Sequence, residues 1–223
     1  IQEQGIYDYL YFHMVPSPHS IFEHIQKLPA GHRLSYNNKH VEVNNYYKPA
    51  FSETASNSFQ QAGQTLRTQL KEAVSNCYNP ALKTAAFLSG GLDSSSVTGM
   101  LSEISETTAE AYSIGFSAEG YDEMEFARIT AKHFGVKLNE YYVTPEDVVD
   151  ALPIVAASHD EPFGNSSALP AYFCAKVAAE NGVQRLLAGD GGDEFFAGNE
   201  RYVKQDIFET LSLIHISDPT RRS

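Results

Sequence analysis

From Phe59 to Ala188 the hydrophobic period of the chain switches back and forth between helix and strand, and that alternation leaves few folds open. Phe59, Ala62, Leu66, Leu70, Ala73, Val74 and Cys77 recur on one helical stripe, which predicts an amphipathic helix over 59–77. Ala85 to Leu88 reads as a short apolar strand, Val97, Met100, Leu101 and Ile104 as a helix, and Ala109 to Phe116 as a second strand. Asp122 with Glu125 has the form of a capping box that opens a helix running to about Phe134. Val136 to Val143 is a third strand. Thr144, Pro145 and Asp147 supply an N-cap, a first-turn proline and a first-turn acid for the next helix. A helix over about Pro170 to Asn181 and a fourth strand over Gln184 to Ala188 complete the series. Strands separated by helices imply crossover connections, hence an α/β fold with a doubly wound parallel sheet covered on both faces. Such sheets bind ligands beyond the carboxyl ends of their strands, which directs attention to the turns after Leu88, Phe116 and Ala188.

The turn after the first strand reads Ser89-Gly90-Gly91-Leu92-Asp93-Ser94-Ser95. Two consecutive glycines permit positive φ and clear the space an incoming anion would need. The amides of such a turn, with the helix start behind them, favour negative charge at one spot, and the hydroxyls of Ser89, Ser94 and Ser95 add donors. A phosphate or pyrophosphate is the natural occupant. Asp93 would be misplaced beside it unless a cation intervenes, and Mg²⁺ held by one or two carboxylates plus substrate phosphates resolves the conflict. No Lys-Ser or Lys-Thr follows, so this is not a Walker A loop. The turn after the fourth strand carries Gly189, Asp190, Gly191, Gly192, Asp193 and Glu194, followed by Phe195 and Phe196. Carboxylates this close repel one another unless a metal or a cationic group relieves them. One of them could hold the second side of the same Mg²⁺ or act as a general base.

Composition narrows the partners. A formal net charge of −12 removes the basic footprint of a nucleic-acid or anionic-lipid binder. The apolar runs fall short of the roughly 18–20 residues a membrane span requires. Cys77 and Cys174 are the two cysteines, and without a Cys-x-x-Cys they exclude a zinc ribbon and a disulfide scaffold and fit a reducing compartment. Both are expected in cores. Five histidines fall in the first 40 residues, but their spacing matches no metal pattern, so they read as turn or solvated residues. Residues 1–50 contain aromatic-rich segments, Tyr7 to Phe12 and His40 to Tyr47, broken by turn residues, and read as β structure. Phe51 to Ser58 has linker composition.

Together the two turns resemble a known family. SGGLDSS resembles the pyrophosphate-binding loop of N-type ATP pyrophosphatases. GDGGDEFFAGNERY, about a hundred positions later, resembles the second signature of the asparagine synthetase family within that group. YDEMEFAR (Tyr121 to Arg128) and DEPFGNSSALPAY (Asp160 to Tyr172) support the match, and VPSPHSIFEHIQKLPAGH resembles the end of the family's glutaminase domain.

The resemblance implies an adenine nucleotide alpha hydrolase-like sheet with ATP and Mg²⁺ as cofactors. In such proteins ATP adenylates a carboxylate, pyrophosphate leaves, and glutamine-derived ammonia displaces AMP to form an amide. Carried over by position, Ser89, Gly90, Gly91, Asp93, Ser94 and Ser95 would hold the pyrophosphate, with Asp93 and Asp193 as Mg²⁺ ligands. Leu88 and Gly189 would lie near the adenosine. Asp190, standing where many members have Glu, would be the base, with a shorter reach. The segment from His159 to Ser167 could help recognise the acceptor. The domain expectation is a glutaminase remnant over 1–50, a linker over 51–58, a partial synthetase domain over 59–210 and a non-native tail over 211–223. The glutaminase nucleophile and a later pyrophosphate-steadying lysine lie outside the sequence, so a fragment inactive by itself is expected. Implied partners are small molecules (ATP, aspartate or another acceptor, ammonia) and a second copy in the intact enzyme, in the cytoplasm. Acceptors other than aspartate (a sugar, peptide or β-lactam precursor) and a non-catalytic nucleotide-binding role are the competing readings.

Overall fold

The computed structural model describes residues 1–50, 58–116, 123–196, 198, 202, 204 and 207–208. The predicted linker, Ser58 apart, the cap residue Asp122 and the 211–223 tail lie outside them. The chain divides into two compact units, one of Ile1–Arg67 with Tyr142–Lys176, the other of Thr68–Tyr141 with Val177–Ser223.

The second unit holds the parallel sheet. Its strands are β3 (Thr84–Phe87), β4 (Glu110–Phe116), β5 (Lys137–Val143) and β6 (Arg185–Leu187), in the order β5-β4-β3-β6. β3 pairs in parallel with both neighbours, Ala86 standing opposite Ala111 on β4 and Leu187 on β6. Successive strand residues face opposite sides, so the complete burial of both Ala85 and Ala86 shows that both faces of β3 are covered. Ala111, Tyr112 and Ser113 show the same for β4.

Between β3 and β4 runs α3 (Leu92–Ile104), and between β4 and β5 runs α4 (Met124–Phe134). The core gathers Leu88, Met100, Leu101, Ala111, Met124 and Ala127 around these elements. Burying a side chain such as Leu88 or Leu101 contributes about 1.5–3 kcal/mol. Gly99 lets α3 and α4 meet, because a Cβ there would come within 2.6 Å of the Phe134 ring. From β3 the chain proceeds outward through β4 to β5, then returns to add β6 on the other side of β3. The strand order therefore reverses between β3 and β6, and the crevice beyond their carboxyl ends is the switch point at which open α/β sheets bind ligands.

The first unit contains α1 (Glu3–Phe12) and a hairpin of β1 (His32–Asn37) and β2 (His40–Asn45). Asn38 and Lys39 both have positive φ, as a two-residue type I′ turn demands. The β reading of Tyr7 to Phe12 is thus corrected to helix. Tertiary approach overrides the aromatic propensity: at Gly5 the helix presses on the backbone of Ser20 and Ile21, where a Cβ would lie 2.9 Å from Ile21 Cα. Only the hairpin answers to the β-rich expectation for residues 1–50. In the same unit α5 (Pro145–Ala157) starts as its sequence predicts, the Thr144 hydroxyl accepting from the Asp147 amide at 3.1 Å while Asp147 accepts from the Thr144 amide at 2.9 Å.

Two helices, α2 (Phe59–Cys77) and α6 (Ala168–Glu180), span the division between the units. Cys174 on α6 is buried, and burial pushes its thiol up to about 12. Cys77 on α2 is exposed, which corrects its expected place in a core. The reason is that only Val74 of the α2 stripe is fully buried, while Phe59 and Leu66 stay exposed. No helix among the described residues is long and apolar enough to cross a membrane.

Candidate functional site

The turn after β3 is built by its own hydroxyls. Ser94 Oγ accepts from the Ser89 amide at 3.2 Å, lies 3.0 Å from Ser89 Oγ and donates to the Gly91 carbonyl at 3.2 Å. Ser89 Oγ in turn accepts from the Gly91 amide at 3.3 Å. These bonds shape the turn, so Ser94 is buried within it rather than displayed. Ser95 Oγ pairs with Thr130 Oγ1 on α4 at 3.0 Å. Gly90 has φ +96°, and a Cβ there would lie 2.7 Å from Phe126 Cβ and 2.9 Å from the Ala127 nitrogen. Conformation and space thus both demand glycine. Gly91 caps α3 without a side chain, and the first helical bond runs from Ser95 to Gly91. The amides of the first turn of α3 consequently point out of the helix end with its positive dipole, an anion-binding arrangement.

The turn after β6 comes to rest on this one. A Cβ on Gly189 would lie 2.8 Å from the Asp93 carbonyl carbon and 2.9 Å from the Ser94 nitrogen. A Cβ on Gly192 would overlap the Asp93 carboxylate itself. Gly191 has φ +91°, and the Gly192 amide closes the turn on the Gly189 carbonyl at 3.2 Å before α7 (Gly192–Phe196) begins. The Asp93 carboxylate therefore lies against the residue that precedes Asp193. Asp193 lies against Gly198, where a Cβ would come 2.6 Å from its Oδ1. Asp93 and Asp193 are half-buried and Asp190 is exposed. Phe195 and Phe196, which follow the turn on α7, are both exposed.

Basic groups gather at the other end of the strands. Lys83, just before β3, and Lys137, at the start of β5, pair with Glu110 at 3.0 and 3.6 Å. Burial works to raise the Glu110 pKa, but the hydrogen bond and charge of Lys83, the charge of Lys137 and the Tyr112 hydroxyl outweigh it and hold the carboxyl below its ordinary value. Arg128 of α4 is engaged by Glu140, whose carboxyl its hydrogen bonds pull down against burial. The carboxyl-end crevice thus joins acids and outward-facing amides, which suits an anion that brings its own divalent cation. Asp93 and Asp193 offer hard oxygen donors of the kind Mg²⁺ takes. No group of three His, Cys, Asp or Glu side chains among the described residues is arranged to hold a metal, so an ion here would draw its remaining ligands from substrate oxygens and water. Of the N-terminal histidines, His19 meets Asp8 at 3.3 Å.

The sequence marks both turns but not the residues that back them. Thr130, Phe126 and Ala127 support the first turn from α4, and Gly192 is the residue that meets Asp93. The only sequence signal for the α4 contribution is the supporting match at Tyr121 to Arg128.

Residues 65–221 match the family described as asparagine synthase. The chain belongs to that family. A Bacillus subtilis protein named glutamine-hydrolysing asparagine synthetase 1 is 27% identical over 207 residues, which cover 91% of this chain and 32% of that protein. A Methanocaldococcus jannaschii relative, assigned to the glutamine-hydrolysing asparagine synthetases, is 33% identical over 199 residues, 85% of this chain and 37% of its own length. The amidase chry2 of Gibberella zeae is 25% identical over 208 residues, 85% of this chain and 31% of its own length. The chain spans about a third of the length of these curated relatives.

Proposed function

We propose that this chain carries the nucleotide site of an ATP-dependent, AMP-forming amide synthetase that adenylates a carboxylate, aspartate being the leading acceptor, and completes the amide with glutamine-derived ammonia. The observation that carries the reading is the seating of Gly189 and Gly192 directly on Asp93, which brings both glycine turns to one crevice at the sheet's switch point. In this reading the pyrophosphate part of ATP lies against the amides of Gly90, Asp93 and Ser94, with Ser89, Gly91 and Ser95 beside it. Leu88 and Gly189 border the adenosine. Asp93 and Asp193 would hold Mg²⁺, which when bound would supply neutralisation of the charge on the leaving pyrophosphate. Amides fixed in advance by the Ser89–Ser94 bonds need no reorganisation as that charge develops. Asp190, an exposed residue of the second turn, would be the base that takes a proton from the attacking nitrogen. A cytoplasmic location and a homodimer of the intact enzyme belong to the same proposal.

Acceptor-dependent pyrophosphate release, measured in a full-length protein that contains this segment, tests it. Release that requires aspartate supports the reading. Release that requires a different carboxylate moves the acceptor and leaves the adenylation site in place. ATP binding without release for any acceptor overturns the catalytic claim.

A further inference from the structure

The loop between α5 and α6 is fastened by the N-terminal segment. The loop joins α5 to α6 over residues 158–167, and it lines a cavity of about 400 Å³ with His159, Phe163, Asn165 and Ser167, opposite Val155 and Tyr172 from the flanking helices. The His159 and Phe163 rings stack with centroids 5.0 Å apart, so the middle of the loop is tied to the cavity wall.

Both oxygens of Glu161, in that middle, are taken by the N-terminal segment. Oε1 accepts the Ile21 amide at 2.6 Å, and Oε2 accepts the Lys27 ammonium. Three residues on, the Gly164 amide donates to the His13 carbonyl at 2.9 Å, and a Cβ on Gly164 would lie 2.8 Å from His13 Cβ. Lys27 is itself held in place. Its ammonium also donates to the Val15 carbonyl and its amide to the Pro18 carbonyl, while Ser20 Oγ donates to the carbonyls of Phe22 and Ile25. Val15, Ser20 and Ile21 are among the few buried positions of the segment and lie between its attachment points. Burial works to raise the Glu161 pKa, yet the bonds from Lys27 and Ile21 bring it below its ordinary value, as a carboxylate with both oxygens engaged requires.

We infer that residues 13–27 form a latch that sets the position of the 158–167 loop, and with it the shape of the cavity, Glu161 and Lys27 being its positioning residues. The N-terminal segment thereby shapes a cavity that it does not line. The inference holds whatever molecule enters the cavity, and its test does not involve nucleotide.

Hydrogen–deuterium exchange of the 223-residue chain reads it directly. Lys27→Met is expected to speed exchange of the loop amides by about tenfold while α3 and β4 keep their protection. Glu161→Gln should do the same, and the double variant should add little, since the bond that each variant takes from the loop is the shared Lys27–Glu161 pair. Lys27→Arg should restore wild-type loop protection, because it keeps a donor of the same charge and similar reach. The latch is overturned if loop exchange in Lys27→Met stays within about twofold of wild type, if α3 and β4 lose protection equally, if the two single effects add, or if Arg fails to rescue.

Discussion

The two glycine turns meet at one crevice but are made in different ways. The turn after β3 is self-supporting: Ser89, Ser94 and Gly91 bond among themselves, α3 extends from it for 13 residues, and α4 backs Gly90. The turn after β6 has one backbone closure of its own, leads into a five-residue helix and keeps Phe195 and Phe196 exposed. Its place is set by the absence of side chains at Gly189 and Gly192, which lets it settle on Asp93. In the proposed reading the first turn is a cradle prepared before ligand arrives, and the second is a wall whose approach depends on two missing Cβ atoms.

The acids test whether the two turns share one task. Asp93→Asn and Asp193→Asn should each lower ATP–pyrophosphate exchange by about a hundredfold or more, with stability in urea within about 0.5 kcal/mol of wild type. Near-normal exchange in either variant would sink the shared metal. Next in size is Gly90→Ala, which combines positive φ with a collision against Phe126. A loss of about 3 kcal/mol in urea unfolding is expected, and a loss below 1 would show that the cradle is not rigid. At the wall, Gly192→Ala should weaken Mg·ATP binding about tenfold by calorimetry while costing under about 1 kcal/mol of stability. The reverse pattern, stability lost and affinity kept, would erase the contrast between cradle and wall. Ser95→Ala removes the bond to Thr130 and should cost about 1 kcal/mol, the smallest effect of the series.

A pH experiment probes the opposite end of the strands. Glu110 titrates below its ordinary value in the folded chain, so its contribution is complete above the unfolded carboxylate pKa and disappears as pH falls through the lower folded value. Urea unfolding followed downward in pH should show this loss, and Glu110→Gln should flatten that part of the profile. An unchanged slope would mean that Lys83 and Lys137 do not stabilise the carboxylate.

Particular residues show how far the amino-acid sequence could be read. The α2 stripe predicted its helix at Phe59–Cys77 to the residue, because helical spacing is a local property. The same stripe put Cys77 in a core where the structure leaves it exposed, since periodicity tells which residues share a face and not what covers that face. Tyr7 to Phe12 went to helix because Gly5 meets Ser20 and Ile21, a contact no window of local sequence contains. Both glycine turns were legible from their composition between strand and helix. The backing of Gly90 by Phe126 and the Lys27–Glu161 pair were not, as each joins positions far apart along the chain.

Sequence alone settled the alternation of strands and helices, the glycine and acid content of the two turns, and through them the family. Those properties follow from neighbours along the chain. Tertiary structure decided that β6 returns beside β3, and so that Gly192 rests on Asp93 and the two turns make one crevice. The order of strands in a sheet is chosen by backbone pairing and burial between distant segments, energies that are absent until the chain has folded.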